Sequence, residues 1–169
     1  MIISEVKEEE LEHIFPFIRK TFDDTYRIHN SPDNMHLYLT KNLSDEQLSS
    51  DFENPNCLFY KGIENGELAG YLKLNTNDSQ KDTSDMNAIE IERIYVDQSF
   101  QKMGLGAELV YHSIQVGKQF EKSYLWLCVW NKNENAIGFY KKMGFSIFDT
   151  IEFQLGDDVQ TDYKMKIEL

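Results

Sequence analysis

A short segment with two glycines is the part of this sequence that most clearly predicts ligand binding. Gln101-Lys102-Met103-Gly104-Leu105-Gly106 follows an apolar, strand-like run and precedes a helical pattern. Glycine lets a ligand approach the backbone closely, and the free N–H groups and dipole of a first helical turn favour an anion. Lys102 adds a positive charge. A phosphate or pyrophosphate is the expected ligand, although a lone G-x-G before a helix is equally typical of a structural turn.

Two common phosphate-binding motifs do not fit this segment. A Rossmann motif needs a glycine three residues after Gly106, where this chain has Leu109, and a P-loop needs Gly-Lys-Ser/Thr, which is absent. The pattern that remains is Q-x-x-G-x-G after a strand. It resembles the pyrophosphate-binding motif of the GNAT acetyltransferases.

A second segment carries the same resemblance. Residues 129–145, VWNKNENAIGFYKKMGF, are similar to the N-x-x-A-x-x-x-Y-x-x-x-G-F pattern of that family, and one helix and one strand separate the two motifs as they do there. The segments TFDDTYRIHNSPDNMHLYL, IEIERIYVDQSFQKMGLG and QTDYKM resemble the PaiA-type spermidine/spermine N-acetyltransferases of Gram-positive bacteria. The resemblance implies an acetyl-CoA-dependent N-acetyltransferase that uses direct transfer in a ternary complex, with a small cationic amine such as a polyamine as acceptor.

The resemblance also implies where acetyl-CoA binds. The backbone of Ile94, Tyr95 and Val96 would bind the pantetheine arm and polarise the thioester carbonyl. Asn133 would hydrogen-bond to that arm, and Lys142 would approach the phosphates. The residues expected around the pyrophosphate are Gln101, Lys102, Met103, Gly104, Leu105, Gly106 and Ala107. Asn133 is also a candidate helix N-cap, and both roles are compatible because its side chain has donor and acceptor atoms.

Two residues are candidates for proton transfer. An alkylamine has a pKa of about 10.4, so a base, or a water relayed to one, must remove a proton before the amine reacts. Glu92, with Glu90 beside it, stands where related polyamine acetyltransferases have a carboxylate near the amine; the alternative is a solvated strand face. Tyr140 matches the general acid that protonates the leaving thiolate, and the alternative is a core aromatic residue.

The N-terminal helices are expected to shape the acceptor site. Asp24 and Tyr38 are candidate substrate contacts, because carboxylates and aromatic rings suit a long cation. They lie among further residues of this kind, Phe22, Asp23 and Tyr26. The alternative for the Asp23-Asp24 pair is a solvated turn.

Composition narrows the class of protein. The chain has 169 residues, 41% of them hydrophobic, which predicts one domain over residues 1–169. Its net charge of -12 argues against nucleic acid and is compatible with a cationic substrate. No apolar run reaches 18 residues, and the acidic N-terminal segment lacks the pattern of a signal peptide, so we expect a cytoplasmic protein without membrane contact. A monomer or a homodimer is expected.

The two cysteines do not indicate a metal or a disulfide. Cys57 and Cys128 each lie in an apolar, strand-like run, and the chain has no CxxC motif or Cys/His cluster. Two buried reduced thiols and no metal cofactor are therefore expected.

Hydrophobic periodicity and turn signals predict an α/β (α+β layered) domain, with a mixed, mostly antiparallel central sheet flanked by helices. The helix over residues 104–121 is predicted to bury Leu105, Leu109, Val110, Ile114 and Phe120. Residues 76–87 are predicted to be a surface loop. The other predicted helices are 7–22, 32–43, 44–52 and 133–143, and the predicted strands are 57–64, 67–74, 88–96, 124–130, 145–155 and 162–169.

Other functions remain open at this stage. The acceptor could be a protein N-terminus, a lysine, an amino acid or an aminoglycoside. A coenzyme-binding regulator without catalysis is the alternative outside the enzymes.

Overall fold

The computed structural model describes residues 1–82 and 85–169, so part of the loop predicted over residues 76–87 lies outside the described residues. Within this part of the chain, seven strands form one sheet in the order β1-β2-β3-β4-β5-β7-β6. The strands are β1 Ile2–Glu5, β2 Cys57–Glu64, β3 Glu67–Thr76, β4 Ala88–Val96, β5 Tyr124–Trp130, β6 Ser146–Leu155 and β7 Asp158–Glu168. The helices are α1 Leu11–Tyr26, α2 Pro32–Lys41, α3 Asp45–Glu53, α4 Leu105–Gln119 and α5 Glu134–Lys142. The predicted mixed sheet with flanking helices is confirmed.

Local signals account for the positions of several elements. Ser31 and Ser44 cap α2 and α3, since their hydroxyl groups accept hydrogen bonds from the amides of Asn34 (3.2 Å) and Gln47 (3.1 Å). Asn65 and Gly66 join β2 to β3 with φ angles of 52° and 85°, the left-handed pair that a two-residue hairpin turn requires. Each of these features depends only on residues that are close together in the sequence.

The sheet separates two hydrophobic cores. On one face, apolar side chains of β4 and β5 pack against α4 and α5, and the buried residues include Ile89, Ile91, Leu109, Val110, Leu125, Leu127, Ile137 and Tyr140. On the other face, α1, α2 and α3 cover β2 and β3, and the buried residues include Ile14, Ile18, Phe22, Met35, Tyr38, Leu48, Phe59 and Tyr71. The N-terminal helices and the two C-terminal helices therefore lie on opposite faces.

The structure corrects five details of the sequence prediction. β1 was not predicted, α1 extends to Tyr26, and β7 starts at Asp158 instead of Asp162. Phe120 is 48% exposed, because α4 ends at Gln119 and the chain turns away from the core. Gln80 is buried, although it was assigned to a surface loop, because its Oε1 accepts a 2.8 Å hydrogen bond from the indole of Trp126.

The feature that positions the site is the separation of the central strands. β4 and β5 are parallel, but their register covers only Ala88–Ile91 opposite Tyr124–Leu127. A bulge in β4 lies between Ile91 and Arg93, so Glu92 has no direct partner in the register with β3. The strands diverge beyond this point, which leaves one edge of β4 open toward β5. No helix in the described part of the chain is long and apolar enough to cross a membrane.

Candidate active site

A cavity of about 230 Å³ lies where β4 and β5 diverge. Its walls come from the last residues of β4, from the end of β5, from α5 and from the end of α1. The lining residues are Thr25, Tyr26, Ile91, Glu92, Arg93, Ile94, Tyr95, Val96, Gln101, Leu127, Cys128, Val129, Asn133, Ala136 and Tyr140. Three separate parts of the sequence, 25–26, 91–101 and 127–140, thus meet in one place, and we call this the central cavity.

The central cavity contains most of the residues expected near the pantetheine arm. Ile94, Tyr95 and Val96 form one wall, and their strand edge on this side lacks a partner strand in the register. Backbone groups on such an edge can hydrogen-bond to an amide-containing ligand, as a further strand would. Gln101 also lines the cavity, and its Nε2 donates to the backbone oxygen of Val96 at 3.4 Å.

The glycine segment leads directly into α4. Lys102 and Gly104 have φ angles of 64° and 86°, and this left-handed backbone turns the chain into the first helical residue, Leu105. A Cβ on Gly104 would meet no protein atom within 4 Å. The amides of Ala107 and Glu108 donate to the carbonyl of Gly104 at 3.0 and 3.2 Å. The amides of Leu105 and Gly106, at the start of the helix, have no acceptor within it and can bind an anion. Met103 is 54% exposed, and Leu105 is buried as the anchor of the turn.

The other end of the site is formed by α5. Asn133 caps this helix through Oδ1, which accepts a 3.1 Å hydrogen bond from the amide of Ala136, and its NH₂ group remains able to donate. A Cβ on Gly106 would lie 3.7 Å from Phe139 Cζ, so α5 packs beside the start of α4. Lys142 is exposed and lies three residues after Phe139 on the same side of α5.

Tyr140 lies in the wall of the central cavity and is 8% exposed. Its ring packs against Phe139 and Phe145, with centroid distances of 5.1 and 5.7 Å. Burial raises the pKa of this phenol well above its usual range, and the neighbouring Tyr26 adds to the effect. The hydroxyl group therefore stays protonated at neutral pH, and it can donate a proton to a group of comparable basicity.

Glu92 belongs to a buried cluster of charges next to the cavity. Its carboxylate lies 2.5 Å from Lys73 Nζ and 3.2 Å from Arg93 Nη2. Asp51 joins the same two cations, at 2.6 Å from Lys73 and 3.2 Å from Arg93. Asn75 Nδ2 donates to Glu92 at 2.8 Å. We call Asp51, Lys73, Glu92 and Arg93 the buried charge cluster.

This cluster makes Glu92 a weak base. Burial alone would raise the pKa of Glu92, but the charges of Arg93, Lys81 and Lys73 outweigh it and hold that pKa well below its ordinary value. Glu90 is also buried, and its carboxylate accepts hydrogen bonds from Asn75 Nδ2 (3.2 Å) and the Lys81 amide (3.0 Å). The solvated strand face that was the alternative for Glu90 and Glu92 is not found.

The two residues predicted to contact the acceptor do not line the central cavity. Asp24 pairs with Lys20 at 3.0 Å on the outer side of α1. Tyr38 is buried in the helical core, where its ring stacks on Phe22 with a centroid distance of 4.5 Å. Tyr26, the last residue of α1, lines the cavity instead.

Beside the central cavity lies a second one of about 360 Å³, which we call the outer cavity. The two share Thr25, Tyr26 and Asn133. The remaining lining residues of the outer cavity are His29, Trp130, Lys132, Glu134 and Asn135. Its position between the end of α1 and the end of β5 makes it a second route to the point where the strands diverge.

Comparisons with known proteins agree with this arrangement. The model of the acetyltransferase (GNAT) family matches residues 15–145 of the chain. The chain belongs to this family. An uncharacterized N-acetyltransferase of Lactobacillus delbrueckii subsp. lactis is 42% identical over 164 residues, which cover 97% of this chain and 95% of the relative. The chain is an acetyl-CoA-dependent N-acetyltransferase.

Solved structures with the same fold superpose on nearly the whole chain. The PaiA N-acetyltransferase of Thermoplasma acidophilum, solved with coenzyme A, superposes with a TM-score of 0.80 at 21% identity, covering 99% of this chain and 98% of that one. The ribosomal-protein-S18-alanine N-acetyltransferase of Escherichia coli gives a TM-score of 0.72 at 20% identity, covering 99% and 92%. At these identities the likeness concerns the fold.

The acidic residue that the sequence analysis missed in this GNAT protein is Asp162. It starts the part of β7 that pairs with β5, where it lies opposite Trp130, a lining residue of the outer cavity. Burial raises the pKa of Asp162 to about 6. The segment QTDYKM, which includes Asp162, was part of the family resemblance, and this was the available signal.

Proposed function

We propose that this enzyme transfers the acetyl group of acetyl-CoA directly to a primary amine of a small cationic acceptor such as spermidine or spermine. The observation that carries the proposal is the central cavity, which has an open strand edge on one wall and the Tyr140 phenol on the other. Coenzyme and acceptor would meet there in a ternary complex. Acetyl-CoA supplies the activated acetyl group, and the protein supplies orientation and proton transfer.

The coenzyme would lie along the edge of β4 and end at α4. The backbone of Ile94 to Val96 would bind the pantetheine arm, together with the NH₂ group of Asn133. The segment from Gln101 to Ala107 would surround the pyrophosphate, and its open space at Gly104 supports this use. Lys142, on the adjacent helix, would add a positive charge near the phosphates.

Tyr140 would donate a proton to the departing sulfur. The phenol is protonated at neutral pH, so the proton is present when the thiolate leaves. The burial that raises the pKa of Tyr140 would also make a thiolate departing into the same cavity more basic, which keeps the two groups matched for proton transfer. The one thiol in the cavity wall supports direct transfer, because burial raises the pKa of Cys128 to about 12. A thiol held protonated is a poor nucleophile, so Cys128 would not take the acetyl group itself.

The cationic acceptor is supported by charge and by the outer cavity. The chain carries a net charge of -12, which accelerates the approach of a multivalent cation at low ionic strength. The outer cavity combines Glu134 with the aromatic rings of Tyr26 and Trp130. Such rings bind alkylammonium groups through cation–π contacts. The resemblance to PaiA-type polyamine acetyltransferases points to the same class of acceptor.

In this proposal Glu92 is not the base that its position in the sequence suggested. Held ionised by the buried charge cluster, it would add negative potential to the cavity and anchor the bulge of β4. Asp24 would shape the acceptor side indirectly, because its partner Lys20 also binds Asp97 at 2.7 Å and so ties α1 to the end of β4. Tyr38 would do so by stacking on Phe22, which holds α2 against α1.

The test is a panel of amines with release of free thiol as the readout. Purified protein with acetyl-CoA would be given spermidine, spermine, n-butylamine, an aminoglycoside, lysine, glutamate and a peptide with an N-terminal alanine. We expect the highest kcat/KM with the polyamines and a decrease as salt rises. Faster turnover of glutamate or of the peptide than of spermidine would contradict the cationic acceptor. Thiol release that does not depend on any amine would contradict amine acetylation.

A further inference from the structure

We propose that Asp162 binds the ammonium group of the acceptor and takes the proton that the amine loses. This inference rests on the proposed function, because it concerns the acceptor of the same reaction. It assigns the proton acceptor to β7, whereas the sequence analysis looked for it on β4.

The register of the sheet places Asp162 beside both cavities. In the antiparallel pair of β5 and β7, Asp162 lies opposite Trp130 and Lys164 lies opposite Cys128. Opposite residues share a face and alternate residues return to it, so Asp162, Trp130 and Cys128 are on one side of the sheet. Cys128 lines the central cavity and Trp130 the outer one. Asp162 is not itself a lining residue of either cavity. It lies next to a wall residue of the outer cavity and on the same face as a wall residue of the central one.

Electrostatic coupling gives independent evidence for this position. The charge of Asp162 contributes to the raised pKa values of Tyr26, on α1, and Cys128, on β5. Tyr26 lines both cavities. The cation that acts on Asp162 is Lys81, which precedes β4. Within the described residues, the titratable groups coupled to Asp162 include this phenol, this thiol and Lys81, and Lys164 lies two residues away on the same face of β7.

Asp162, which is half-buried, differs from Glu90 and Glu92 in having a carboxylate oxygen without a hydrogen-bond donor. Its Oδ1 is buried, and within residues 1–82 and 85–169 it receives no hydrogen bond. Glu92, in contrast, lies within 3.5 Å of lysine and arginine nitrogens, and Glu90 accepts two hydrogen bonds. A buried carboxylate oxygen without a donor costs free energy, and an alkylammonium with its three N–H groups would satisfy it.

The position of Asp162 also suits proton transfer. Burial raises its pKa to about 6, so the carboxylate is ionised at pH 7 to 8 but binds a proton more readily than an ordinary aspartate. Glu92 holds a proton far less well, for the reasons given above. Placing the ammonium against a buried carboxylate removes water that would stabilise both charges, which favours movement of the proton to Asp162.

The proton balance of the step is complete. One N–H bond of the ammonium breaks, its proton goes to Asp162, and the electron pair left on nitrogen attacks the acetyl carbonyl carbon. The C–S bond breaks, and the sulfur takes the proton of Tyr140. The second N–H proton lost by nitrogen replaces the proton that Tyr140 donated. Asp162 then releases its proton to solvent.

The experiment compares Asp162→Asn with the control Asp158→Asn, which makes the same charge change at an exposed position of β7. We expect kcat/KM for spermidine to fall at least 100-fold in the Asp162 variant and to stay within twofold of wild type in the control. The acidic limb of the pH profile, centred near pH 6 in wild type, should disappear. Acetyl-CoA affinity measured by calorimetry should be unchanged in both variants, which verifies folding.

A weakly basic acceptor distinguishes a loss of proton transfer from a general loss of structure as the cause of lower activity. Trifluoroethylamine is largely neutral at pH 8, so it does not need a proton acceptor before it attacks. The defect of Asp162→Asn should therefore shrink at least tenfold with this amine relative to n-butylamine. An equal defect with both amines, or activity like that of the control, would overturn the assignment.

Failure of the proposed function would be recognised separately. It would appear as wild-type protein that acetylates no amine in the panel. The inference would then be decided by calorimetry of spermidine binding to the coenzyme A complex. Binding weakened at least tenfold in Asp162→Asn supports Asp162 as the ammonium site, and equal binding in wild type and variant refutes it.

Discussion

Gly106 and Phe139 define the contact between α4 and α5. A Cβ added to Gly106 would lie 3.7 Å from Phe139 Cζ, which is an ordinary van der Waals distance. The packing of the protein would therefore accept alanine at this position. What excludes a side chain there, in our proposal, is the pyrophosphate of the coenzyme.

This contact predicts that a methyl group at Gly106 weakens coenzyme binding without destabilising the fold. Gly106→Ala should leave the melting temperature unchanged or raise it slightly, because alanine favours a helix over glycine by about 1 kcal/mol. Its affinity for acetyl-CoA should fall at least tenfold. Gly138→Ala is the matched control, since it adds the same methyl group to α5 with nothing within 4 Å. Calorimetry and melting curves provide the two readouts, and equal affinity in both variants would remove the pyrophosphate from this position.

Removal of the Tyr140 hydroxyl should slow the chemical step. Tyr140→Phe keeps the ring that packs against Phe139 and Phe145, so the fold and the coenzyme affinity should be preserved. General acid catalysis contributes about 100-fold to 10,000-fold, and we expect kcat to fall by about 100-fold because water can partly replace the phenol. Steady-state kinetics at saturating acetyl-CoA measure this. A changed melting temperature with kcat within twofold of wild type would mean that Tyr140 is only a core aromatic residue.

The stability that the buried charge cluster provides should depend on both its acidic and its basic residues. Glu92→Gln leaves Lys73 and Arg93 with one carboxylate, and breaking a buried ion pair costs about 3 to 5 kcal/mol. The second change Lys73→Met should recover part of this loss, since it removes the unpaired buried charge. Denaturant unfolding of the single and double variants measures the coupling. Additive losses in the double variant would show that the two residues act independently.

The same cluster predicts an acid-dependent loss of stability. The folded-state pKa of Glu92 is lowered, so its contribution is complete above the ordinary glutamate pKa of about 4.5 and is lost as the pH falls from there toward the folded-state value. The free energy of unfolding should decrease below pH 5 more steeply in wild type than in Glu92→Gln. Parallel curves for the two proteins between pH 5 and pH 3 would contradict this.

Asp162 should destabilise the folded protein at neutral pH. Its folded-state pKa is raised to about 6, so the favourable protonated state is lost as the pH rises through 6. We therefore expect Asp162→Asn to be more stable than wild type by about 1 to 2 kcal/mol at pH 8, a value reduced for the partial exposure of the side chain. The difference should vanish near pH 4. A variant less stable than wild type at pH 8 would indicate that the carboxylate has a structural role.

Much of the fold followed from signals that are local in the sequence. The hairpin at Asn65-Gly66 depends on backbone conformations that neighbouring residues set by themselves. The N-caps Ser31, Ser44 and Asn133 each satisfy an amide two or three residues away. The glycine segment before α4 belongs to the same class, because its left-handed turn and free N–H groups are properties of a few consecutive residues. Such features can be predicted from one sequence.

Only the tertiary structure decided the relationships between residues that are distant in the sequence. Glu90 and Glu92 alternate with isoleucines, a pattern typical of a solvated strand face, yet both side chains are buried. Glu92 forms ion pairs with Lys73 and Arg93, and Glu90 accepts hydrogen bonds from Asn75 and the Lys81 amide. β1 was missed because four residues carry too little periodicity, and pairing with β2 stabilises it. Asp162 became a candidate only when the register of β7 with β5 brought it beside Trp130. Long-range pairing sets burial and charge environment, and these determine which of the acidic residues can bind and deprotonate an amine.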